Sequence, residues 1–212
     1  MRLVRRFTGM EHVPRWFTET DDAHSQWYAE HFRELRDEGT DVDGEARLID
    51  AMASPRSRIL DAGCGQGRTA AALTQRGHDV VGVDIDPVLL EAARTDYPDT
   101  TFVLSDLADL SLDIVGDPRL FDAAVCAGNV ITFVAPDAET SVLSAIRSVL
   151  RPDAFAVFGF HSERYAITDF DLHLSDAGFT LESRFSTWDL RPWHDDAEFV
   201  VSVLRVPLAA VD

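Results

Sequence analysis

The sequence predicts an α/β fold with one doubly wound sheet, and three observations support this prediction. From about Ser57 onward, short apolar runs alternate with helical patterns, which is typical of a parallel sheet with crossover helices. Some of these runs are apolar throughout, as is usual for strands that are covered on both faces. The length of 212 residues favours one domain and is sufficient for a sizeable hydrophobic core.

Seven strands are predicted between residue 57 and the C-terminal end of the chain. The predicted strands cover 57–61, 79–84, 101–104, 121–126, 155–160, 180–189 and 198–206. Turn residues fill 190–197, so the last two strands are expected to form an antiparallel hairpin. Helices are predicted at 44–52, 69–76, 87–95, 138–150 and 170–177. Proline at the start of the third of these helices and glycine after the second agree with the usual helix boundaries.

The N-terminal residues differ in character from the rest of the chain. Large aromatic residues between Trp16 and Phe32 are interleaved with charged ones. We therefore predict that residues 1–56 form a helical, aromatic lid segment and that residues 57–212 form the main domain. The alternative is that these aromatic side chains pack as ordinary core. Neither an internal repeat nor a low-complexity linker is present.

The composition excludes several classes of function. There are 37 acidic and 19 basic residues, every base is an arginine, and the formal net charge is −18. So acidic a surface repels phosphate backbones, and we expect no nucleic-acid partner. No apolar run approaches the ~20 residues of a membrane-spanning helix. The basic start of the chain is not followed by the apolar stretch of a signal peptide, so we expect a cytoplasmic location and no membrane partner.

The two cysteines do not indicate a metal site or a structural disulfide. Cys64 lies in a predicted loop and Cys126 in a predicted strand. No cluster with the spacing of metal ligands accompanies them, so we expect no bound metal. Cys64 is interpreted as a small residue that fills its loop and not as a nucleophile.

A glycine cluster, Gly63-Cys64-Gly65-Gln66-Gly67, follows the first predicted strand. Glycines at such a junction let a ligand approach the backbone because no Cβ intervenes. Dinucleotide-binding domains use a longer spacing, Gly-x-Gly-x-x-Gly, to seat a pyrophosphate on the helix N-terminus. Here Asp61 stands two residues before the first glycine, and its carboxylate would repel a pyrophosphate. The combination instead favours a cofactor that carries an ammonium group and a sulfonium.

Two further carboxylates end the second and third predicted strands. Asp84 lies about 20 residues after the glycines, where such folds bind ribose hydroxyls. Asp106 can accept a hydrogen bond from an adenine amino group while the Leu107 backbone N–H donates to the ring. All three acids lie at carboxyl ends of strands, the edge at which open α/β sheets bind ligands.

Together these motifs resemble class I S-adenosylmethionine-dependent methyltransferases. The resemblance rests on 59–68, 82–87 and 105–107, while 126–130 and 186–193 resemble small bacterial tellurite-resistance-type members. It covers about 57–206 and implies a Rossmann-like, doubly wound, seven-stranded sheet. That sheet is mostly parallel, with an antiparallel C-terminal strand and helices on both faces. The implied function is methyl transfer from S-adenosylmethionine to a small-molecule acceptor, with S-adenosylhomocysteine as the product.

The resemblance also implies roles for individual residues. Asp61 and the glycine loop would hold the methionine part, Asp84 the ribose, and Ile85 the adenine face. From the N-terminal segment, Tyr28 is the candidate to cover the cofactor, because methyl transfer benefits from the exclusion of water. The expected cofactor-binding residues are Asp61, Gly63, Cys64, Gly65, Gly67, Arg68, Asp84, Ile85, Asp106, Leu107, Ala127 and Tyr28.

The sequence is much less informative about the acceptor. Asn129 and His161 follow the fourth and fifth predicted strands, where either could position or deprotonate an acceptor, or serve only as a polar loop residue. No catalytic triad is recognisable, and no catalytic residue is assigned. Three alternatives stay open: a non-catalytic S-adenosylmethionine-binding protein, an NAD-dependent oxidoreductase, and a polymer methyltransferase. A monomer and a homodimer are both compatible with the sequence.

Overall fold

The computed structural model describes residues 13–208, in which a seven-stranded sheet is flanked by eight α-helices. The helices are α1 (Arg15–Glu19), α2 (Asp22–Asp37), α3 (Gly44–Met52), α4 (Arg68–Gln75), α5 (Pro87–Asp96), α6 (Leu112–Val115), α7 (Glu139–Ser148) and α8 (Ile167–Asp176). The strands are β1 (Arg58–Ala62), β2 (Asp79–Asp84), β3 (Thr101–Leu104), β4 (Phe121–Cys126), β5 (Leu150–His161), β6 (Thr180–Phe185) and β7 (Phe199–Arg205).

The strand order of the sheet is β3-β2-β1-β4-β5-β7-β6. All neighbouring strands pair in parallel except β7, which is antiparallel to both β5 and β6. The predicted fold class and the predicted C-terminal hairpin are therefore confirmed. The chain runs outward from β1 to β3 and then returns to the other side of β1 with β4. This reversal creates a crevice beyond the carboxyl ends of β1 and β4, where such folds bind ligands.

Two groups of buried side chains cover the two faces of the sheet. One group includes apolar residues of α3, α4 and α5, and the other includes those of α7 and α8. Neither group contains a residue of α1 or α2. Within the N-terminal part, α3 buries Ala46, Leu48 and Ile49 and so belongs to the core. The aromatic residues of α1 and α2 lie outside both core groups.

Several element boundaries differ from the sequence-based prediction. β5 begins at Leu150, five residues early, because Leu150 pairs with Phe121 across an irregularity in the ladder. β6 ends at Phe185 because the chain turns there: the Ser186 N–H donates to the Arg191 carbonyl at 2.9 Å. The single turn α6 was not predicted, although Ser111 caps its start and a left-handed Gly116 ends it.

None of the helices within residues 13–208 has both the length and the apolar character that crossing a membrane requires. In the same residues, His, Cys, Asp and Glu side chains form no group that could hold a metal ion.

Candidate functional site

A cavity of about 470 Å³ lies at the carboxyl ends of the first four strands, a volume in the usual range for small-molecule sites. Two regions enclose it. We call the loops that follow β1, β2, β3 and β4 (61–69, 84–89, 106–107 and 127–134) the floor. We call α1 and α2 the cover, because their side chains close the cavity from the opposite side. Of the twelve residues expected to bind the cofactor, all but Gly67 line this cavity.

The three loop glycines have different tasks, although all adopt positive φ. A Cβ on Gly63 would lie 2.3 Å from Val130 Cγ1, and one on Gly67 would lie 2.6 Å from Phe102 Cζ. These two glycines are therefore required by packing. A Cβ on Gly65 would meet nothing closer than 3.8 Å, so Gly65 leaves its backbone open to the cavity. Gly67 does not line the cavity: it precedes α4 and lets the loop pack against β3.

Asp61 is a buried carboxylate at the end of β1. Its Oδ2 atom has no hydrogen-bond partner among the described residues. Burial raises the pKa of Asp61 to about 7, although the charge of Arg68 and the backbone N–H of Ala70 act in the opposite direction. An unpaired buried oxygen is costly unless a ligand satisfies it. The position therefore suits a ligand with a cationic or hydrogen-bond-donating group.

Asp84 connects the end of β2 to the glycine loop. Its Oδ2 accepts the Gly65 N–H at 2.7 Å, and its Oδ1 accepts the Asp86 N–H at 2.8 Å. Burial raises the pKa of Asp84 to about 6, while these backbone donors lower it. Each carboxylate oxygen has a second lone pair, so Asp84 can still accept from a ligand hydroxyl.

Asp106 caps the short turn Leu107–Asp109, and its Oδ1 accepts the Ala108 N–H at 2.9 Å. Partial burial raises its pKa. Ile85 and Leu107 line the cavity beside it with apolar surface, and Ala127 lines it after β4. The structure thus brings the three strand-end carboxylates expected from the sequence to one cavity.

Cys64 and Arg68 line the cavity but are already engaged with the protein. Cys64 packs beneath β2, since a Cβ on Gly82 would lie 2.8 Å from its Sγ atom. Burial raises the pKa of the Cys64 thiol far above its usual value, which makes it inert. Arg68 Nη1 donates to Glu45 Oε2 at 2.8 Å, and its guanidinium lies 5.1 Å from the Phe32 ring centre. Both residues therefore shape the floor.

Tyr28, on α2, lines the cavity and faces the glycine loop. A Cβ on Gly65 would lie 3.9 Å from Tyr28 Cε1, and one on Gly128 would lie 3.8 Å from the Tyr28 hydroxyl. Burial raises the pKa of Tyr28, while the charge of Arg68 lowers it. The hydroxyl is therefore neutral and close to the loops that follow β1 and β4.

The cover is attached to the floor through Asp86. Trp16 Nε1 donates to Asp86 Oδ2 at 2.8 Å, and the Ser25 hydroxyl donates to the same oxygen. The other oxygen, Oδ1, accepts the Val88 N–H at 2.8 Å and caps α5. One buried side chain therefore joins α1, α2 and α5.

Ion pairs and backbone bonds attach the cover at its edges. The Arg15 guanidinium pairs with Glu139 at 2.9 Å, and Arg164 pairs with Glu19 at 2.6 Å. Further along α2, Arg33 pairs with Asp96 of α5 at 2.7 Å. The Trp16 N–H also donates to the Phe133 carbonyl at 3.1 Å. These attachments are largely polar.

The two expected acceptor residues are separated by the structure. Asn129 lines the cavity, and its Oδ1 accepts the His161 backbone N–H at 2.7 Å. The His161 side chain, also expected near the acceptor, does not line the cavity. Because β5 continues through His161 and pairs it with Phe199, its exposed ring lies against Phe199, outside the cavity.

Sequence reasoning missed several cavity residues. Gln66 is buried, and its Nε2 atom has no partner among the described residues. The α2 residues His24 and His31 also line the cavity, beside Trp27, which belongs to the aromatic segment predicted as the lid. Their spacing with Tyr28 (i, i+3, i+4, i+7) is a helical signal that could have identified them. Phe133, after β4, carried no comparable signal.

A family described as a methyltransferase domain matches residues 59–153, which include the three strand-end carboxylates. Among solved structures, a TehB-like SAM-dependent methyltransferase from Corynebacterium glutamicum is 42% identical. The alignment covers 87% of this chain and 98% of that one, with a TM-score of 0.81.

Curated relatives are similar over shorter stretches. Magnesium-protoporphyrin O-methyltransferase of Rhodobacter capsulatus is 39% identical over 97 residues, covering 43% of this chain and 40% of that protein. Trans-aconitate 2-methyltransferase of Paracidovorax citrulli is 32% identical over 133 residues, covering 52% and 50% respectively. The chain spans about half the length of the curated relatives it matches.

Proposed function

We propose that this chain, which belongs to the S-adenosylmethionine-dependent methyltransferases, transfers a methyl group to a small-molecule acceptor held between the floor and the cover. The observation that carries the proposal is the buried Asp61 carboxylate, with its unpartnered oxygen, in a cavity lined by two further strand-end acids. When bound, S-adenosylmethionine supplies a methyl group on a positively charged sulfur, which is already activated for transfer to a nitrogen, oxygen or sulfur atom.

The residues of the floor fit this cofactor. Asp61 has a free oxygen for an ammonium group, and Gly65 leaves backbone open where a ligand must approach closely. We assign the methionine part to Asp61, the glycine loop and Ala127, and the ribose to Asp84. Ile85, Asp106 and Leu107 would hold the adenine. In this proposal Cys64, Gly67 and Arg68 maintain the shape of the floor.

The contribution of the chain to the reaction is orientation and the exclusion of water. Holding two reactants in line can lower the barrier by about 7–11 kcal/mol. Tyr28 closes the cavity above the glycine loop, and Trp16 keeps the cover on the floor through Asp86. Asn129 is held in place by the His161 N–H and offers its amide to the acceptor. A general base is needed only for an acceptor that must lose a proton early.

A small acceptor agrees with the enclosed cavity and with the short chain, 162–166, between β5 and α8. A formal charge of −18 opposes binding to nucleic acid. We also propose that the protein works in the cytoplasm as a monomer or homodimer. The support for that location is the pair of free, buried cysteines.

Turnover can be tested with the full chain, S-adenosylmethionine and a panel of small metabolites, with S-adenosylhomocysteine quantified by mass spectrometry. We expect acceptor-dependent product from the wild type and from the exposed control Asp176→Asn, and strongly reduced product from Asp61→Asn. S-adenosylhomocysteine binding without turnover on any acceptor would instead support a non-catalytic binding protein.

A further inference from the structure

The cavity-facing side of α2 carries four rings, His24, Trp27, Tyr28 and His31, spaced so that they share one helix face. A different face attaches the helix: Ser25 bonds to Asp86, and Ala29 is buried. The four-ring face therefore does not bond to Asp86; its contacts with the rest of the cover are edge-on ring contacts of Trp16 with His24 and Tyr28. Its inner member, Tyr28, lies over the glycine loop, and the other three reach toward the mouth of the cavity.

Trp27 differs from the other aromatic residues of the cover. Its side chain is 57% exposed although it lines the cavity, whereas Trp16 is bonded to Asp86 and packs edge-on against Phe133. The rings of Trp27 and His31 lie nearly parallel, at 6°, with centroids 5.3 Å apart. His24, one turn earlier on α2, also contacts the indole, with centroids 5.5 Å apart and the rings tilted by 42°. Since Trp27 remains 57% exposed, a further flat ring can pack against the part of the indole that the two histidines leave open, because aromatic contacts are favourable.

The carboxylates that line the cavity are unevenly distributed between the floor and the cover. Its lining carboxylates, Asp61, Asp84 and Asp106, all belong to the floor. The described part of α2 contributes rings and no carboxylate to the lining, although the chain as a whole is strongly acidic. The mouth of the cavity is thus aromatic and free of negative charge, while the cofactor groups of the floor are acidic.

From these observations we infer that the methyl acceptor is a planar aromatic molecule whose ring packs against the exposed surface of Trp27. The inference rests on the methyl-transfer function proposed above and names the class of acceptor. The cavity connects this surface to the floor, so a ring held there can direct a substituent toward Gly128 and Asn129.

The test uses two probes with the same carbon skeleton, naphthol and its saturated counterpart decahydronaphthol. Their binding to the full chain is measured by calorimetry in the presence of saturating S-adenosylhomocysteine. We expect naphthol to bind about tenfold more tightly than decahydronaphthol. Trp27→Leu, which keeps apolar bulk but has no ring, should lose about tenfold in naphthol affinity, and Trp27→Phe should retain most of it. Leu172→Ala, an exposed apolar position on α8, is the remote control.

Three results would overturn the inference: equal binding of the two probes, no measurable naphthol binding, or unchanged naphthol binding by Trp27→Leu. A fall of several degrees in the Tm of ligand-free Trp27→Leu would also overturn it, by showing that Trp27 packs against the chain. Binding of S-adenosylhomocysteine is measured on the same samples. Its absence in the wild type would refute the proposed function, whereas its presence without naphthol binding refutes only the aromatic acceptor.

Discussion

The floor and the cover face each other across one cavity but are held by different forces. Floor residues are packed into the core: Gly63 fits against Val130, and Cys64 lies beneath Gly82. The cover contributes only Ser25 and Ala29 as buried residues, and it is attached by hydrogen bonds and ion pairs together with two ring contacts, Trp16 against Phe133 and Arg68 against Phe32. The floor is thus as rigid as the packed domain to which it belongs, and the cover is attached to the surface of that domain.

This difference indicates which part moves. Partly exposed ion pairs contribute about 0–1 kcal/mol each and the two hydrogen bonds to Asp86 about 1.5–3 kcal/mol each, so we expect the cover to open at lower cost than unfolding of the core. The floor is ready to bind before the ligand arrives, because its glycine loop is already fixed by Asp84. We therefore expect changes in the cover to alter retention and turnover, and changes in the floor to alter binding itself.

The largest expected effect comes from removal of the cover by deletion of residues 1–40. Methyl transfer should fall below detection and S-adenosylhomocysteine should bind more weakly, because water then reaches the cavity. Circular dichroism should still show cooperative unfolding, since no residue of α1 or α2 belongs to either core group. Full activity of the truncated chain would refute the role of the cover. Failure to fold would show that the cover is part of the core.

In the floor, Asp84→Ala should lower the affinity for S-adenosylhomocysteine by roughly a hundredfold, because hydrogen bonds to charged groups contribute about 1.5–3 kcal/mol each. The substitution removes both the proposed ribose contact and the bond that holds Gly65. Asp79→Asn is the matched control, at the opposite end of the same strand, and should bind normally. Calorimetry measures the affinity of both variants for S-adenosylhomocysteine. Equal losses of affinity in the two variants would place the ligand elsewhere.

The pH dependence of binding should report on Asp61. Burial raises the pKa of this carboxyl to about 7, so in the ligand-free protein it is protonated at lower pH. A cationic amino group binds the ionised form. The affinity for S-adenosylhomocysteine should therefore rise with pH and level off above about 7, with roughly a tenfold loss per pH unit below that value. Asp61→Asn should bind weakly and with a flat profile between about pH 6 and 8. The same steep profile in Asp61→Asn would assign the titration to another group.

The smallest effect is expected at the junction of floor and cover. Asp86→Asn keeps a good helix cap but replaces one acceptor oxygen with an amide nitrogen, which cannot accept from Trp16 Nε1. We expect dissociation of S-adenosylhomocysteine to accelerate by about three- to tenfold, and Trp16→Phe to do the same. The double variant should be no faster than Asp86→Asn alone, because that substitution already removes the Trp16 contact together with the acceptor of the Ser25 hydroxyl. Stopped-flow fluorescence measures these rates, and additive effects would argue against a shared contact.

The floor was largely predictable from the sequence, whereas for the cover the sequence indicated an aromatic lid with Tyr28 but not how that lid is attached. The bounds of β2, β3 and β4 match the prediction, and the three carboxylates follow strand ends whose meeting point is dictated by the fold. Local patterns carry this information, since strand, glycine loop and helix are adjacent in the chain.

The contact between Trp16 and Asp86 joins residues 70 positions apart, and no local pattern specifies it. From the sequence, Asp86 could be identified as a helix cap but not as the attachment point of α1 and α2. The position of the His161 ring has a related cause, because the pairing of β5 with β7 decides where that ring lies. Partners distant in sequence determine both positions.

In the proposed function, the floor binds S-adenosylmethionine because Asp61 meets a cationic group where a dinucleotide would place phosphate. Calorimetry of the wild type with S-adenosylhomocysteine and with NAD separates the two ligands. We expect saturable binding of S-adenosylhomocysteine and no heat with NAD. Tight NAD binding with no response to S-adenosylhomocysteine would refute the role of Asp61 and of the floor.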